Sequence, residues 1–293
     1  MDLRTIQTYI CLAENGSFTK TARELNYAQS TVTTQIQQLE KELGYRLFDR
    51  VGRSISLTAM GKEFLGYAYE LRRIMEQAAA LDRDPARLHG TLRIGVLESL
   101  LFSVMPEVIP QFRTQYPHVQ LQIKMGQTTE LVRQLKENKL DLVYLSAEEN
   151  ADPDLRCCYH RTEKLVFLCA PEHEAAHCKE LQKLFQYDFV VTERSGICYH
   201  RLQQLASSCG SSVRACVEVD STIAITQAVK NGLGIAFLPK YSVQQHLNDG
   251  TLVQIEPEMP QQLYSSQILC HKSRWLSPFM EGMVQIIMQK RRQ

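Results

Sequence analysis

Residues 17–47 read Ser-Phe-Thr-Lys-Thr-Ala-Arg-Glu-Leu-Asn-Tyr-Ala-Gln-Ser-Thr-Val-Thr-Thr-Gln-Ile-Gln-Gln-Leu-Glu-Lys-Glu-Leu-Gly-Tyr-Arg-Leu. Two helical patterns lie here with a very short break between them. Ser17 is a good N-cap, because its side-chain oxygen accepts from an orphan backbone N–H. Phe18, Ala22 and Leu25 then share one face of a first helix over 17–25. Asn26-Tyr27 makes the break. A second helix is predicted over 29–43, closed by Gly44. Its apolar stripe is Val32, Ile36, Leu39 and Leu43. Its other face carries Gln29, Ser30, Thr31, Thr33, Thr34, Gln37 and Gln38.

An ordinary surface helix shows Lys and Glu at such positions. Hydroxyls and amides instead suit phosphates and base edges, and Thr methyls suit thymine methyls. No acidic residue falls between Glu24 and Glu40. Alone, the face reads as plain polar surface. Two helices with a tight break near the N-terminus have the helix-turn-helix layout, which changes that reading. Residues 47–58 then read as a hairpin with Gly52 at its tip and Arg50 and Arg53 beside it. A basic hairpin next to a recognition helix looks like a wing. The candidate DNA contacts are Ser17, Thr19, Gln29, Ser30, Thr31, Thr33, Thr34, Gln37, Arg50 and Arg53.

The first 60 or so residues closely resemble the winged helix-turn-helix of LysR-type transcriptional regulators. The resemblance rests on residues 18–25, 29–40, 43–50 and 57–61. Three positions depart from it: Ala28 stands where the family often has Ser, Ser30 where it has Pro, and Thr34 where it has Arg. Which bases are read is therefore open. The resemblance implies an α/β protein with three parts. These are a DNA-binding domain at 1–58, a linker helix and hinge at 59–90 that pairs subunits, and an effector-binding domain at 91–293. The last is expected to resemble the periplasmic solute-binding fold, with one half at 91–163 and 267–293 and the other at 164–266. Segments Asp141-Leu142-Val143 and 232–239 (Gly-Leu-Gly-Ile-Ala-Phe-Leu-Pro) support that part. The implied partners are double-stranded promoter DNA, a second copy of the chain (a dimer, with tetramers usual in the family) and a small-molecule effector. RNA polymerase is a further candidate. No cofactor is implied.

Composition agrees without adding much. The 293 residues suggest two or three domains, and 44% hydrophobic content supports real cores. No apolar run is long enough for a membrane span. The start Met1-Asp2-Leu3-Arg4 opens an amphipathic helix with Ile6, Tyr9, Ile10 and Ala13 rather than a signal peptide, so a cytoplasmic location is expected. Net charge is +1. Seven Lys/Arg against six Asp/Glu in the first 60 residues make charge a neutral witness. Nine cysteines cannot all pair, and free thiols are expected in a reducing compartment.

Beyond the hairpin, residues 58–81 form one long helical pattern. Phe64, Ala68, Leu71, Met75 and Ala78 make a heptad-like seam, which calls for a partner, most simply the same helix of a second chain. Pro85 and Gly90 mark a hinge. From Thr91 strands and helices alternate, implying a mostly parallel sheet. Strands are predicted at 92–97, 119–125, 140–145, 165–169, 189–192, 213–217, 234–238 and 265–270. Helices are predicted at 101–116, 130–138, 199–209, 222–231 and 278–290.

Ligands of open α/β sheets bind beyond C-terminal strand ends, often at helix N-termini. That rule, with the resemblance, gives effector candidates Glu98, Ser99, Leu100, Thr128, Thr129, Ser146, Ser195, Cys198 and Thr222. Helix capping alone also explains the hydroxyls. Glu98 argues against a simple anion unless it pairs with Arg194 or recognises an amine.

Cys198 begins a helix near Arg194, His200 and Arg201, a setting that lowers a thiol pKa. With Cys209 it resembles peroxide-sensing members of the family, although the spacing differs, so a thiol-based sensor is the alternative reading. Residues 157–160 (Cys-Cys-Tyr-His) and 173–178 (His-Glu-Ala-Ala-His-Cys) offer soft metal ligands, which keeps a metal-responsive regulator as a remote alternative. No Gly-x-Ser-x-Gly, phosphate-cradling loop or His-Glu-x-x-His occurs, so catalysis is not expected. A periplasmic solute-binding protein would share the α/β halves but not the N-terminal winged helix.

Overall fold

A computed structural model describes residues 2–51, 54–79, 84–147, 152–194 and 196–291. It divides into two compact units, Met1–Gly90 and Thr91–Gln293.

In the first unit, α1 (Leu3–Asn15) starts at Asp2, whose carboxylate accepts the Thr5 N–H at 2.7 Å. It is followed by α2 (Phe18–Glu24), α3 (Gln29–Leu43), the antiparallel hairpin of β1 (Phe48–Val51) and β2 (Ser54–Leu57), and α4 (Ala59–Ala79). Gly44 closes α3 at φ 80°, a left-handed conformation that costs a glycine little. The predicted hairpin tip, Gly52 and Arg53, lies outside the described residues, as do the side chain of Arg50 and the end of the predicted linker helix.

Tyr9 is the centre of this unit. Its ring sits 5.4 Å from Phe48 and 5.2 Å from Phe64, and its hydroxyl donates to the Gly61 carbonyl at 2.5 Å. Ile6, Ile10, Leu12, Ile36, Leu39, Leu47 and Ala68 close around it. Burying one such side chain stabilises the fold by roughly 1.5–3 kcal/mol. The expected seam of the long helix divides. Phe64 and Ala68 are buried in this core against α1, and Leu71 packs on its edge. Met75 and Ala78 face solvent, together with Tyr67 and Ile74. Heptad spacing records an apolar stripe, and the stripe's first half is satisfied within the chain.

The second unit runs β3 (Gly90–Val96), α5 (Glu98–Ser103), α6 (Met105–Gln115), β4 (Val119–Met125), α7 (Thr128–Lys136), β5 (Leu142–Ala147), β6 (Leu155–Cys169), α8 (Leu181–Leu184), β7 (Phe189–Val191), α9 (Ile197–Ser208), β8 (Ala215–Glu218), α10 (Thr222–Lys230), β9 (Ala236–Pro239), α11 (Lys240–Asn248), β10 (Val253–Ile255), β11 (Gln262–His271) and α12 (Pro278–Lys290). The helix expected over 101–116 is two helices, because the chain turns at Val104, before the proline in the first turn of α6.

The sheet follows the order β10-β6-β11-β5-β3-β4, with β9 also on β6. It is mixed rather than mostly parallel. β3 and β5 are a parallel pair, β7 and β8 form a separate two-stranded parallel sheet, and β6 and β11 run antiparallel from Gln262↔Leu165 to His271↔Leu155. β11 pairs with β5 through residues 265–269, while the far end of β6 pairs with β9 and β10. These two strands therefore carry the chain between two halves. One half packs Leu131, Leu135, Leu140, Val143 and Leu145. The other packs Phe167 against Phe185, Phe189 and Phe237, with ring centroids 6.4, 6.2 and 4.5 Å away. Among the described residues no helix is long and apolar enough to cross a membrane.

Two glycines of α4 give opposite expectations. A Cβ on Gly61 would meet the Leu47 carbonyl oxygen at 2.1 Å, whereas one on Gly66 meets nothing within 4 Å. Gly61→Ala should lower stability by about 1–3 kcal/mol through overpacking. Gly66→Ala should raise it by about 0.5–1 kcal/mol through helix propensity. Urea unfolding followed by circular dichroism reads both, and shifts of the same sign would contradict the close approach of α4 to Leu47.

Candidate DNA-reading helix and effector cleft

α3 buries Val32, Ile36 and Leu39 and exposes Gln29, Ser30, Thr31, Thr34 and Gln37 on its other side. Thr33 is half-buried and its hydroxyl donates to the Gln29 carbonyl at 3.0 Å. Gln38, also exposed, donates to Glu42 at 2.8 Å. The Thr19 hydroxyl donates to the Gln29 side chain at 3.0 Å, which ties α2 to the start of α3. Ser17 caps α2, accepting the Lys20 N–H at 3.4 Å. Ala28 at the N-cap of α3 makes no such bond, so the first amides of that helix are left for another acceptor.

One residue that the sequence reading left aside fixes the geometry. A Glu40 carboxylate oxygen accepts the Leu47 N–H at 2.7 Å and the Phe48 N–H at 3.2 Å. It thereby joins α3 to the first strand of the hairpin. The Thr58 hydroxyl donates to the Arg46 carbonyl at 2.8 Å and accepts the Gly61 N–H at 2.9 Å, joining the hairpin to α4.

In the second unit three sets of contacts cross between the halves. One Glu98 carboxylate oxygen accepts from the Ser221 hydroxyl at 2.8 Å, and the other accepts the Thr222 N–H at 2.6 Å. Ser99 and the Tyr241 hydroxyl share a hydrogen bond of 3.0 Å, and Ser146 lies 3.5 Å from the same hydroxyl. The Gln127 amide donates to Glu193 and, at 2.7 Å, to Asp220. Beneath them Arg291 lies 4.9 Å over the Tyr241 ring and pairs with Glu163 on β6, which also accepts from Ser266 of β11 at 2.7 Å. A pocket of about 60 Å³ opens beside these contacts, lined by Ser99, Phe102, Thr222, Ile223, Ser242 and His246.

The sequence candidates are thus partly brought together. Glu98, Ser99 and Ser146 meet groups of the other half. Thr222 takes part through its backbone N–H, while its neighbour Ser221 supplies the hydroxyl. Thr128 and Thr129 begin α7 beside Gln127, which makes the crossing contact in their place. Leu100 is wholly buried and offers the cleft no side chain. Ser195 lies outside the described residues. Gln127, Asp220 and Tyr241 were not singled out. Gln127 directly precedes Thr128, whereas α11, which carries Tyr241, left no helical pattern that was read.

The setting expected for Cys198 is corrected. Cys198 packs against the phenylalanine-rich core of its half, and burial pushes its thiol up to about 12. Arg194 does not offset this, because it pairs with Glu218 at 3.0 Å. Nor does Arg194 pair with Glu98. α9 is continuous from Ile197 to Ser208, so Cys198 and Cys209 stand at opposite ends of it, roughly 16 Å apart at 1.5 Å per residue. His173 caps a short 3-10 turn, accepting the Ala175 N–H at 3.1 Å. Among the described residues no three His, Cys, Asp or Glu side chains gather as a metal site.

A polar recognition helix held to a hairpin, followed by a two-halved α/β unit with a polar cleft, defines a ligand-binding regulator of the winged helix class. The bacterial regulatory helix-turn-helix family of LysR type matches residues 3–62, and the LysR substrate-binding domain matches residues 85–292. The chain belongs to this family, and its members are DNA-binding transcriptional regulators rather than enzymes. It is 29% identical over 288 residues to the HTH-type regulator YwqM of Bacillus subtilis, covering 98% of each chain. Its fold resembles full-length OxyR from Pseudomonas aeruginosa (TM-score 0.72, 21% identity, 100% of this chain and 95% of that one). It also resembles full-length CbnR complexed with its target DNA (TM-score 0.64, 19% identity, 99% and 100%).

Burial of Cys198 sets an expectation for thiol chemistry. Iodoacetamide near pH 8 should label exposed Cys216 well before Cys198, since the thiolate is the nucleophile and burial disfavours it. Peptide mapping over time reads the order, and equal labelling would contradict the apolar setting.

Proposed function

We propose that the chain controls transcription by laying α3 in the major groove of promoter DNA and that a small molecule entering the cleft of the second unit sets this activity. The observation that carries the first half is α3 itself: a row of exposed Gln, Ser and Thr side chains on a helix anchored at both ends. The Thr19–Gln29 bond anchors its start, and the Glu40 clamp anchors its end to the hairpin. Gln29, Ser30, Thr31, Thr34 and Gln37 read the groove. Thr33, Ser17 and Thr19 support the helix geometry, and Arg50 and Arg53 remain candidates for contacts to the DNA backbone.

The exposed second half of α4, with Tyr67, Ile74 and Met75, pairs with the same helix of a second copy. A dimer then offers two recognition helices to successive major grooves. The protein works in the cytoplasm, where promoter DNA is.

The cleft reading rests on Glu98, Ser99, Ser146 and Thr222, joined by Gln127, Asp220, Ser221 and Tyr241. Glu98 already fills the start of α10, so an effector acts by replacing the crossing contacts. Groups that donate hydrogen bonds, such as an amine, match Glu98, Glu193 and Asp220. Groups that accept match the Ser99, Ser146 and Tyr241 hydroxyls. The effector shifts a population between arrangements of the two halves.

Footprinting on DNA flanking the protein's own gene tests the reading. Thr31→Ala and Gln37→Ala should each weaken the protected site about tenfold, the effect of losing one base contact worth about 1.4 kcal/mol. Unchanged protection by both variants would contradict a reading role for α3. Addition of small amines and carboxylates should change the protected pattern for one chemical class, and a pattern indifferent to all of them counts against the effector half.

A further inference from the structure

Two cysteines meet on the crossover strands, away from the cleft contacts. Cys158 lies on β6 and Cys270 on β11, 112 residues apart in sequence. The ladder between these strands shifts register at Ile268/Leu269: Ile268 pairs with Tyr159 and Leu269 with Cys157. Cys158 is therefore the extra residue of a bulge, and a bulge re-aims the side chain that it carries. Here the Cys158 thiol is aimed at its neighbour across the ladder. Its Sγ lies 3.3 Å from Cys270 Sγ and donates to it. A disulfide holds its sulfurs roughly 2 Å apart, so the two atoms stand little more than about 1 Å from bonding distance.

The surroundings favour thiol chemistry. Arg156 stands opposite Cys270 in the ladder, and its guanidinium lies beside both sulfurs. The hydrogen bond from Cys158, with Arg156 and Arg274 nearby, draws the Cys270 thiol below its ordinary range, while the same bond pushes the Cys158 thiol up. Cys158 is half-buried, which leaves the pair an approach from solvent, whereas Cys270 is fully buried.

We propose that Cys158 and Cys270 form a reversible disulfide that pins β6 to β11 at their bulge, giving the hinge between the two halves an oxidised and a reduced state. With a peroxide as oxidant the chemistry balances. Cys158, the thiol that solvent reaches, gives its proton to water as its sulfur attacks one peroxide oxygen. The O–O bond breaks, a sulfenic acid forms, and hydroxide leaves and takes up a proton to become water. The second thiol then attacks that sulfur. The S–S bond forms, and the hydroxyl leaves as water with the second thiol's proton. Two thiols lose two electrons, and the peroxide is reduced to two waters. A dithiol reductant reverses the link by exchange. The site is distinct from Cys198, whose buried thiol lacks both a partner cysteine in reach and a free cation.

Mass spectrometry of the full-length protein tests this without reference to DNA binding. Protein is treated with a small excess of hydrogen peroxide, free thiols are capped with iodoacetamide, and the digest is analysed without reduction. The expected result is a peptide pair linked through Cys158 and Cys270, a loss of two free thiols per chain, and recovery of both with dithiothreitol. Cys157→Ser should keep the link, and Cys158→Ser should lose it. The proposal is overturned if peroxide links Cys157 instead, or drives either cysteine to a sulfinic acid with no link. It is equally overturned if both thiols remain reduced while exposed Cys216 oxidises.

Discussion

The carboxylate of Glu98 is the constraint on which the second unit's arrangement turns. The first amides of any helix lack partners within it, and the aligned peptide dipoles make that end positive. α10 resolves this with two groups. Ser221 accepts the Ala224 N–H at 3.2 Å, and Glu98, arriving from the other half of the unit, accepts the Thr222 N–H and the Ser221 hydroxyl. A charged acceptor on a helix amide makes a stronger bond than a neutral pair. The halves are otherwise joined by β6 and β11, two strands that bend more readily than they stretch. A carboxylate shared across the opening therefore sets how far apart the halves stand, and Gln127 and Tyr241 sit at distances that presume this setting.

The first unit follows the opposite logic. It is one small core built around Tyr9, with every element tied to its neighbour. Glu40 fixes the hairpin to α3, and Thr58 fixes it to α4. Gly61 lets α4 approach Leu47 more closely than a side chain would allow. A rigid reading head suits base recognition, where hydrogen-bond geometry decides between bases. A second unit with alternative internal contacts suits response to a ligand. The division between a tightly bonded core and a cleft bridged by exposed polar groups is visible in where the side chains fall.

Much of this was legible in the sequence where the signal is local. The two short helices, the hairpin and the apolar stripe of α3 follow from spacing over a dozen residues each, and the structure keeps them within a residue or so. The α/β class followed from alternation, and so did the strand ends and helix start at which Glu98, Ser99 and Ser146 fall. What failed was nonlocal. The first part of β6, residues 155–164, is polar and reads as loop, because its pairing comes from β11 a hundred residues later. The antiparallel crossover pairs were unreadable for the same reason. Spacing also cannot tell whether the first part of the α4 seam meets another chain or α1, and Phe64 and Ala68 meet α1. Cys198 was misjudged because a helix start and nearby cations are local features, whereas its burial is set by a core assembled from distant phenylalanines. Gln127 and Tyr241 matter only because the fold brings the other half to them.

Hydrogen exchange at the start of α10 tests the role of Glu98 most directly. In the unmodified protein the Thr222 amide is bonded to Glu98 and should exchange slowly. In Glu98→Ala the account predicts faster exchange across residues 221–226, with the β6–β11 ladder and the core around Tyr9 unchanged. Equal protection of that turn in both proteins would contradict the claim that Glu98 holds the cleft.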